Sequence, residues 1–330
     1  MATLATTSYT LLDWAKQIGP DEKPARIINL LSQTNEILLD MPVIEGNLAT
    51  GHQSTQLTGL PVAAFRLLNQ GVAESKDVNQ QITDTAGMLE AWSKVDQAVA
   101  DLNGATDQYR LNRAKTFLDA MNQTMASTIF YGNTAVNPER FLGLAPRYSL
   151  ISAGNGTNII DAGGTGSDNM SIWYIRWDEM TCCGFFPKGQ ADSAGLKHED
   201  LGLETVYDAS SQPFRAFRDH YIWKIGLAVP DWRYVVRIAN IDVSNLVTVT
   251  GNADLINLMI RARGKVPSQT IGKGAFYMNA VAYTMLSILA LNKSNAVLPI
   301  KNAVGQTELN FLGDPIRRCD ALLTSEARVV

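Results

Sequence analysis

The sequence predicts an α+β fold, and three features of its hydrophobic pattern support that class. One long segment has the 3.6-residue periodicity of a helix, a later region is dominated by alternating strand patterns, and further helical patterns flank those strands. The sequence shows neither an internal repeat nor a low-complexity tract. With 330 residues, the chain is long enough for one large composite domain or two smaller ones.

The first forty residues have the pattern of an arm. Two short helical patterns, Tyr9 to Ile18 and Ala25 to Leu39, are punctuated by Pro20 and Pro24. Because these pieces are short and precede any core element, we expect them to pack on another surface, such as a second subunit.

Residues 41–77 predict a long hairpin loop with a polar tip. Gly51 and Gly59 bracket the stretch "HQSTQLT", and further turn residues follow. A two-stranded ribbon is only marginally stable alone in water, so a long hairpin is expected to rest on a partner surface. This is the first feature of the sequence that points to assembly.

A long helix is predicted from Asp107 to Tyr131. Thr106 is a suitable N-cap and Gly132 a suitable terminator. At 1.5 Å per residue the helix would span roughly 38 Å, which is typical of a structural spine. Its apolar residues recur at steps of three and four and form one stripe: Leu111, Ala114, Leu118, Met121, Met125 and Ile129.

Strand patterns dominate from residue 171 onward. In "SIWYIRW", alternate residues Trp173, Ile175 and Trp177 share one face. In "WRYVVRI", the apolar residues share one face, and Arg233 and Arg237 are expected on the wetter face, where they could hold an anion. Further patterns predict a charged loop over "PKGQADSAGLKHEDLGLE", helices at Ala253 to Arg263 and Ala275 to Leu291, and a final strand and tail.

Composition excludes several functional classes. The chain is 46% hydrophobic and 18% charged, which is typical of a folded protein whose surface is partly covered by partners. A net charge of -4 argues against tight nucleic-acid binding. We expect a cytosolic chain without a membrane span, because neither a signal peptide nor a long apolar run is evident. Cys182, Cys183 and Cys319 are an odd number, and we interpret them as buried thiols.

One group of residues could support metal chemistry. His198 and Asp200 are alternate residues, and with the distant His220 they could form the facial triad that holds non-haem iron. However, "LKHEDLG" lies between glycines, and a solvated charged loop is the preferred interpretation. The Asp219-His220 pair has no credible nucleophile nearby, so we expect a histidine that is hydrogen-bonded within a sheet.

The remaining motifs do not predict a site. "GNGTNIIDAGGTGSDN" lacks the spacing of a dinucleotide-binding loop, and "GKGA" at Gly272 lacks both the first glycine and the Ser or Thr of a phosphate loop. His52 has no acidic or histidine neighbour and is expected to face solvent at the hairpin tip. The Trp and Tyr series between Ile172 and Tyr234 could stack on a base or sugar, but its alternation favours sheet core and subunit contact.

Several phrases in a fixed order resemble a known family. They extend from about Ser32 to the C-terminus and include "SQTNEILLDMPVIEGN", "TGLPVAAFRLLNQGV", "FPKGQADSAGLKHEDLG", "HYIWKIGLAVPDWRYVVRIANID" and "PIRRCDALLTSEARVV". The sequence resembles the major capsid proteins of short-tailed, epsilon-like bacteriophages with the Hong Kong 97-type shell fold. None of the phrases is a catalytic signature, and Pro230 and the Cys182-Cys183 pair depart from the family pattern.

This resemblance implies a domain plan and a set of partners. The implied parts are an N-terminal arm (1–40), an extended loop (41–77), a peripheral domain (78–150) with a spine helix (107–131), an axial domain (151–300), and a C-terminal strand and tail (301–330) that return to the peripheral domain. It also implies pentamers and hexamers of an icosahedral shell around double-stranded DNA, a scaffolding protein, a portal and a cement or decoration protein, with assembly in the bacterial host cytoplasm.

The expected function is therefore a structural head protein without catalytic, cofactor-binding or metal sites. Two alternatives remain at this point. One is a non-haem iron enzyme that uses His198, Asp200 and His220. The other is an encapsulin-like shell that holds cargo enzymes instead of a genome.

Overall fold

The computed structural model describes residues 33–101, 106–190, 195–208, 210–248, 254–292, 300–303 and 306–330. The predicted helix from Tyr9 to Ile18 and most of the predicted arm lie outside these residues. Within them, no helix has the length and hydropathy needed to cross a membrane.

The described helices range from single turns to one of seven turns. They are α1 (Ile37–Asp40), α2 (Gln97–Ala100), α3 (Thr106–Tyr131), α4 (Leu144–Arg147), α5 (Val243–Thr248), α6 (Leu255–Lys265) and α7 (Ala280–Asn292).

Most of the described strands lie in the second half of the chain. They are β1 (Val43–Glu45), β2 (Gly51–Gly59), β3 (Val78–Thr85), β4 (Gly87–Asp96), β5 (Ile159–Asp161), β6 (Asn169–Trp177), β7 (Cys183–Phe186), β8 (Leu196–Tyr207), β9 (Pro213–Ala228), β10 (Val235–Asp242), β11 (Lys273–Met278), β12 (Ile300–Ala303), β13 (Gln306–Phe311) and β14 (Asp314–Arg318).

The chain divides into two compact units, and helix α3 and strand β9 each contribute residues to both. Among the described residues, the smaller unit consists mainly of those within Met88–Met125 and Gly195–Lys224. The larger unit consists of Thr34–Gly87, Ala126–Ala194 and Ile225–Val330. Residues 195–224, which the sequence prediction grouped with the axial domain, therefore belong to the same unit as most of the long helix.

The larger unit is built on a seven-stranded mixed sheet in the order β12-β13-β14-β11-β6-β10-β5. Strand β6 lies between β11 and β10 and is antiparallel to both, whereas β5 is parallel to β10. Every residue of β6 is buried, so the sheet is covered on both faces there. One apolar core packs on this sheet, with members that include Ile172, Tyr174, Val236, Ile238, Met259, Phe276 and Leu286.

The smaller unit has its own small core. Strand β9 pairs with β8 on one side, antiparallel, and with β4 on the other. Val95, Val99, Ala100 and Tyr109 form the core, and Phe217 packs against it. The Asp96 carboxylate accepts a hydrogen bond from the amide of Ala98 at 2.8 Å and so caps the short helix that carries two of these residues.

The long helix begins at Thr106, one residue before its predicted start, and ends at Tyr131. Its predicted apolar stripe is only partly buried. Met121, Met125 and Ile129 are buried, whereas Leu111 and Leu118 are exposed. The N-terminal half of the stripe thus does not face the core of the described chain.

Three element predictions need correction. The hairpin was predicted to end at residue 77, but its second strand is Val78–Thr85, because residues 60–77 form the connection beyond the ladder. The charged segment around His198 is strand β8, since it pairs with β9 over eleven registered positions from Leu196 to Tyr207. The helix predicted from Ala275 begins only at Ala280, because Lys273–Met278 forms strand β11, which pairs with β6 in the large sheet.

Candidate functional site

The residues of the possible metal triad lie on opposite faces of the β8–β9 pair. Directly opposed residues of an antiparallel pair share a face, and successive residues alternate. Glu199 is opposite His220, whereas His198 is opposite Tyr221 and Asp200 is opposite Asp219. His198 and Asp200 therefore share one face, and His220 lies on the other. Because the three side chains point to opposite sides of the sheet, they do not meet around one metal ion, and the triad hypothesis is wrong.

Arg110 occupies the centre of the face that carries His198 and Asp200. One guanidinium nitrogen, Nη2, donates to Asp200 Oδ1 at 2.6 Å and to Asp219 Oδ1 at 2.8 Å. The hydrogen bond from Arg110 holds the pKa of Asp200 below its ordinary value. The second partner of Asp219 is His198, whose Nε2 lies 3.1 Å from the same oxygen. Both carboxylates are thus committed to an ion pair, and the cluster ties helix α3 to the sheet.

His220 has a separate environment on the other face. Its Nε2 lies 3.2 Å from Glu90 Oε2, and its ring stacks on Trp92 with 3.7 Å between ring centroids. Arg218 lies over the same indole at 4.8 Å. His220 is buried and joins β9 to β4, as expected for a histidine hydrogen-bonded within a sheet. Within the described residues, no three His, Cys, Asp or Glu side chains are grouped so that they could hold a metal ion.

The arginines of the second strand pattern differ in environment. Arg233 is exposed in a short 3-10 turn, where it pairs with Asp231 at 2.7 Å. The expectation that Arg237 lies on a wet face is wrong, since its side chain is only 5% exposed and pairs with Glu326 at 2.8 Å. Its Nε donates to Ser171, and Nη1 donates to the carbonyl of Tyr148. Both guanidinium groups are thus paired with carboxylates.

The other candidates from the sequence have structural roles. Trp173, Tyr174 and Trp177 are buried, which confirms the interpretation of the aromatic series as sheet core. The three cysteines are buried and unbonded to one another, as predicted. The prediction that His52 faces solvent at a tip is wrong, because it lies near the base of the hairpin with its ring 5.7 Å from Phe185.

An exposed apolar surface lies at the end of the hairpin, where the sequence predicted a polar tip. Residues 60–77 contain no strand and are exposed throughout. Phe65 is fully exposed, and Leu68 is 91% exposed. Other exposed apolar side chains in and beside this tip are Leu57, Leu60, Val62, Leu67, Val72 and Val78. Such a concentration of unburied apolar area is typical of a protein interaction site. The apolar run "LPVAAFRLL" was the signal for it in the sequence.

Comparison with known proteins identifies the chain. The family model described as "Major capsid protein GP7" matches residues 19–330, nearly the whole chain. The chain belongs to this major capsid protein family.

A chain in the cryo-EM structure of bacteriophage Epsilon15 is similar to this capsid protein. The two are 32% identical with a TM-score of 0.78, and the similarity covers 100% of this chain and 99% of the other. The capsid of bacteriophage JBD30 (10% identity, TM-score 0.47, covering 89% and 93%) and the SrpI encapsulin of Synechococcus elongatus PCC 7942 (10%, 0.44, covering 69% and 94%) are more distant. No curated protein matches the chain.

The capsid protein therefore has the Hong Kong 97-type fold, which confirms the α+β class and the family predicted from the sequence. It is a structural subunit of a phage shell built from repeated copies and is not an enzyme. The encapsulin-like alternative is not favoured. The ion pairs of Arg110, His198 and His220 join the long helix and the strands of this shell subunit.

Proposed function

We propose that the capsid protein assembles into pentamers and hexamers of a closed icosahedral shell around the double-stranded DNA genome of a tailed bacteriophage. The observation that carries this proposal is the exposed apolar tip of the hairpin. Fully exposing side chains such as Phe65 and Leu68 is unfavourable by about 1.5–3 kcal/mol each relative to burial. A second copy of the chain is the partner that covers them.

The hairpin is the extended loop of this assembly and lies over a neighbouring subunit. Two-stranded ribbons need support, and the tip beyond Gly59 presents apolar area in place of a polar turn. The contact is heterologous, since tip and acceptor are different surfaces, and heterologous contacts that close by rotation generate rings. Rings of five and six then follow from one contact at slightly different angles.

The domain plan of the family supports the roles of the other segments. Residues 1–40 act as an arm, 78–150 as a peripheral domain with its spine helix, and 151–300, apart from 195–224, as an axial domain around each capsomer centre. Because residues 195–224 share a compact unit with most of the spine helix, we assign their strands to the peripheral domain. The tail from residue 301 completes the subunit.

The acidic balance of the chain suits an inner wall that contacts DNA only non-specifically. With a net charge of -4, the subunit does not neutralise many phosphates, so packed DNA is not held tightly. We further propose a scaffolding protein, a portal and a cement or decoration protein as partners, with assembly in the host cytoplasm.

Light scattering coupled to size exclusion, followed by negative-stain imaging, tests the proposal. Megadalton particles, or discrete rings of five and six, are the expected result. A chain that remains a stable monomer or dimer, even when it is coexpressed with its scaffolding protein, would contradict it.

A further inference from the structure

A cavity of about 330 Å³ lies in the larger unit, between the hairpin strands β2 and β3 and the segments that follow helix α4 and strand β9. The side chains that line it come from all of these parts: Gln56, Ile82, Arg147, Tyr148, Asn155, Val229 and Trp232. Binding sites for small molecules typically have volumes of about 300–1,000 Å³. The cavity is at the lower end of this range, so a ligand for it must be small.

Most of the cavity wall is aromatic or aliphatic. Tyr148 and Trp232 provide the aromatic part, and Ile82 and Val229 provide the branched aliphatic part. The Tyr148 side chain is buried, and its hydroxyl donates to the carbonyl oxygen of Trp232 at 2.7 Å. Aromatic rings attract other rings through stacked and edge-to-face contacts in addition to the burial of apolar area. The wall therefore favours a ligand that contains an aromatic ring.

The polar side chains of the wall leave one donor open. Gln56 Nε2 donates to the carbonyl oxygen of Pro230 at 2.5 Å, and Asn155 Nδ2 donates to that of Arg147 at 2.6 Å. Arg147 Nε, in contrast, is buried and has no hydrogen-bond partner within the described part of the chain. A buried donor without an acceptor is costly, and a ligand that supplies an acceptor removes that cost.

The charge of Arg147 is already balanced. Its Nη2 donates to Asp84 Oδ1 at 2.6 Å, and the two side chains are 14% and 4% exposed. The other oxygen of Asp84 accepts from the amide of Val229 at 3.3 Å. An anionic ligand at Arg147 would lie close to this buried carboxylate, and like charges repel strongly where water is excluded. The acceptor that suits Arg147 Nε is therefore neutral, as in a carbonyl group.

We propose that this cavity is a binding site for a small, neutral aromatic molecule that carries a carbonyl group, such as an aromatic amide. The ring packs against Tyr148, Trp232, Ile82 and Val229, and the carbonyl oxygen accepts from Arg147 Nε. This inference goes beyond the proposed function, because the site is contained in one subunit and needs no second copy. A ligand that binds only the folded subunit stabilises it by mass action.

Benzamide, a neutral aromatic amide, is the probe that tests the site. Saturation-transfer difference NMR and isothermal titration calorimetry on the unassembled chain measure its binding. Benzoate has the same ring but carries a charge, whereas cyclohexanecarboxamide has the same amide but no aromatic ring. We expect benzamide to bind and each of the other two compounds to bind at least about tenfold more weakly. The melting temperature should rise with the benzamide concentration.

Substitutions in the wall test where benzamide binds. Ile82→Phe fills part of the cavity and should weaken benzamide binding by about tenfold or more. The matched control is Gln81→Phe, which places the same side chain on the opposite, exposed face of the hairpin and should keep the parent affinity. Val229→Leu is a smaller insertion into the wall and should weaken binding to a lesser degree. It provides the test if Ile82→Phe does not fold.

Three results would overturn the proposal. They are no binding of benzamide to the parent chain, equal affinities for the three compounds, and an affinity for benzamide that neither substitution in the wall changes. All of these measurements use the unassembled chain, so their outcome is separate from whether shells form.

Discussion

Arg237 and Glu326 form an ion pair of 2.8 Å in which both side chains are almost completely buried, at 5% and 6% exposure. Glu326 also accepts hydrogen bonds from Tyr131 and Ser171. One carboxylate in the C-terminal tail therefore holds the end of the long helix and two strands of the large sheet. Burial of the Tyr131 ring raises the pKa of its hydroxyl above the ordinary value, and the nearby Glu326 carboxylate raises it further.

Removing Glu326 alone should be severely destabilising. Glu326→Ala leaves the Arg237 guanidinium buried without its carboxylate, and we expect the free energy of unfolding to fall by about 3–5 kcal/mol. The double variant Arg237→Met/Glu326→Leu removes both charges, and its free energy of unfolding should fall much less. Urea denaturation of the unassembled chain measures both. Equal losses in the single and double variants would show that the buried charge is not the cause.

Arg110 should contribute more to stability than Arg218, although both pair with carboxylates on the same sheet. Arg110 pairs with Asp219, whose side chain is 7% exposed. In the Arg218–Glu204 pair, the arginine side chain is 32% exposed and the glutamate side chain 40%. We expect Arg110→Ala to cost about 3 kcal/mol because a buried carboxylate loses its partner. Arg218→Ala should cost less than about 1 kcal/mol, as is usual for solvent-screened pairs. Denaturation midpoints compare the stability costs of the two variants, provided that the dependence of the unfolding free energy on denaturant concentration is unchanged. A similar cost for both would contradict this ranking.

The three thiols should be unreactive in the folded chain and should make it sensitive to alkali. Burial raises the pKa of Cys183 and of Cys319 to about 12 and raises that of Cys182 as well. An exposed thiol in the unfolded chain has a pKa of about 8.5. Because the folded pKa is the higher one, this stabilisation is complete below about pH 8.5 and is lost as the pH rises toward about 12.

A thiol reagent and a pH series of denaturation curves check this prediction. At neutral pH none of the three cysteines should react until denaturant is added, after which all three should react. The free energy of unfolding should decrease as the pH rises above about 8.5. Rapid reaction of any cysteine under native conditions would be inconsistent with these raised pKa values.

Local signals in the sequence were sufficient for the long helix and for the fold class. The threonine at 106, the glycine at 132 and the apolar spacing between them placed the helix within one residue of its observed start. Helix caps and periodicity depend on neighbours a few residues away, so they can be read without tertiary information. Likewise, the alternating aromatic residues of β6 indicated a sheet core, and they are buried.

Features that depend on distant residues were not predictable. Arg237 alternates with apolar residues and so was expected on a wet face, but its partner Glu326 is 89 positions away. His198 lies among glycines and charges, which resemble a loop, yet pairing with β9 makes the segment a strand. Similarly, the hairpin tip was predicted to be polar, and only the end of the ladder at Gly59 shows that exposed apolar side chains lie beyond it.

The hairpin tip should be required for assembly and dispensable for folding. Phe65→Ser combined with Leu68→Ser replaces the two most exposed apolar side chains of the tip. Because neither side chain is buried, the free energy of unfolding of the unassembled chain should stay within about 0.5 kcal/mol of the parent value. The fraction of protein in large particles, measured by sedimentation velocity, should fall sharply because the contact with a second copy loses its apolar anchors.

The matched control is Val136→Ser, which replaces an apolar side chain that is 71% exposed outside the hairpin. It should assemble like the parent chain if the loss is specific to the tip. Normal assembly of the tip variant would refute the contact, whereas failure of both variants would point to a general effect of surface polarity. Only loss in the tip variant with retention in the control supports a second copy of the chain as the partner that covers Phe65 and Leu68.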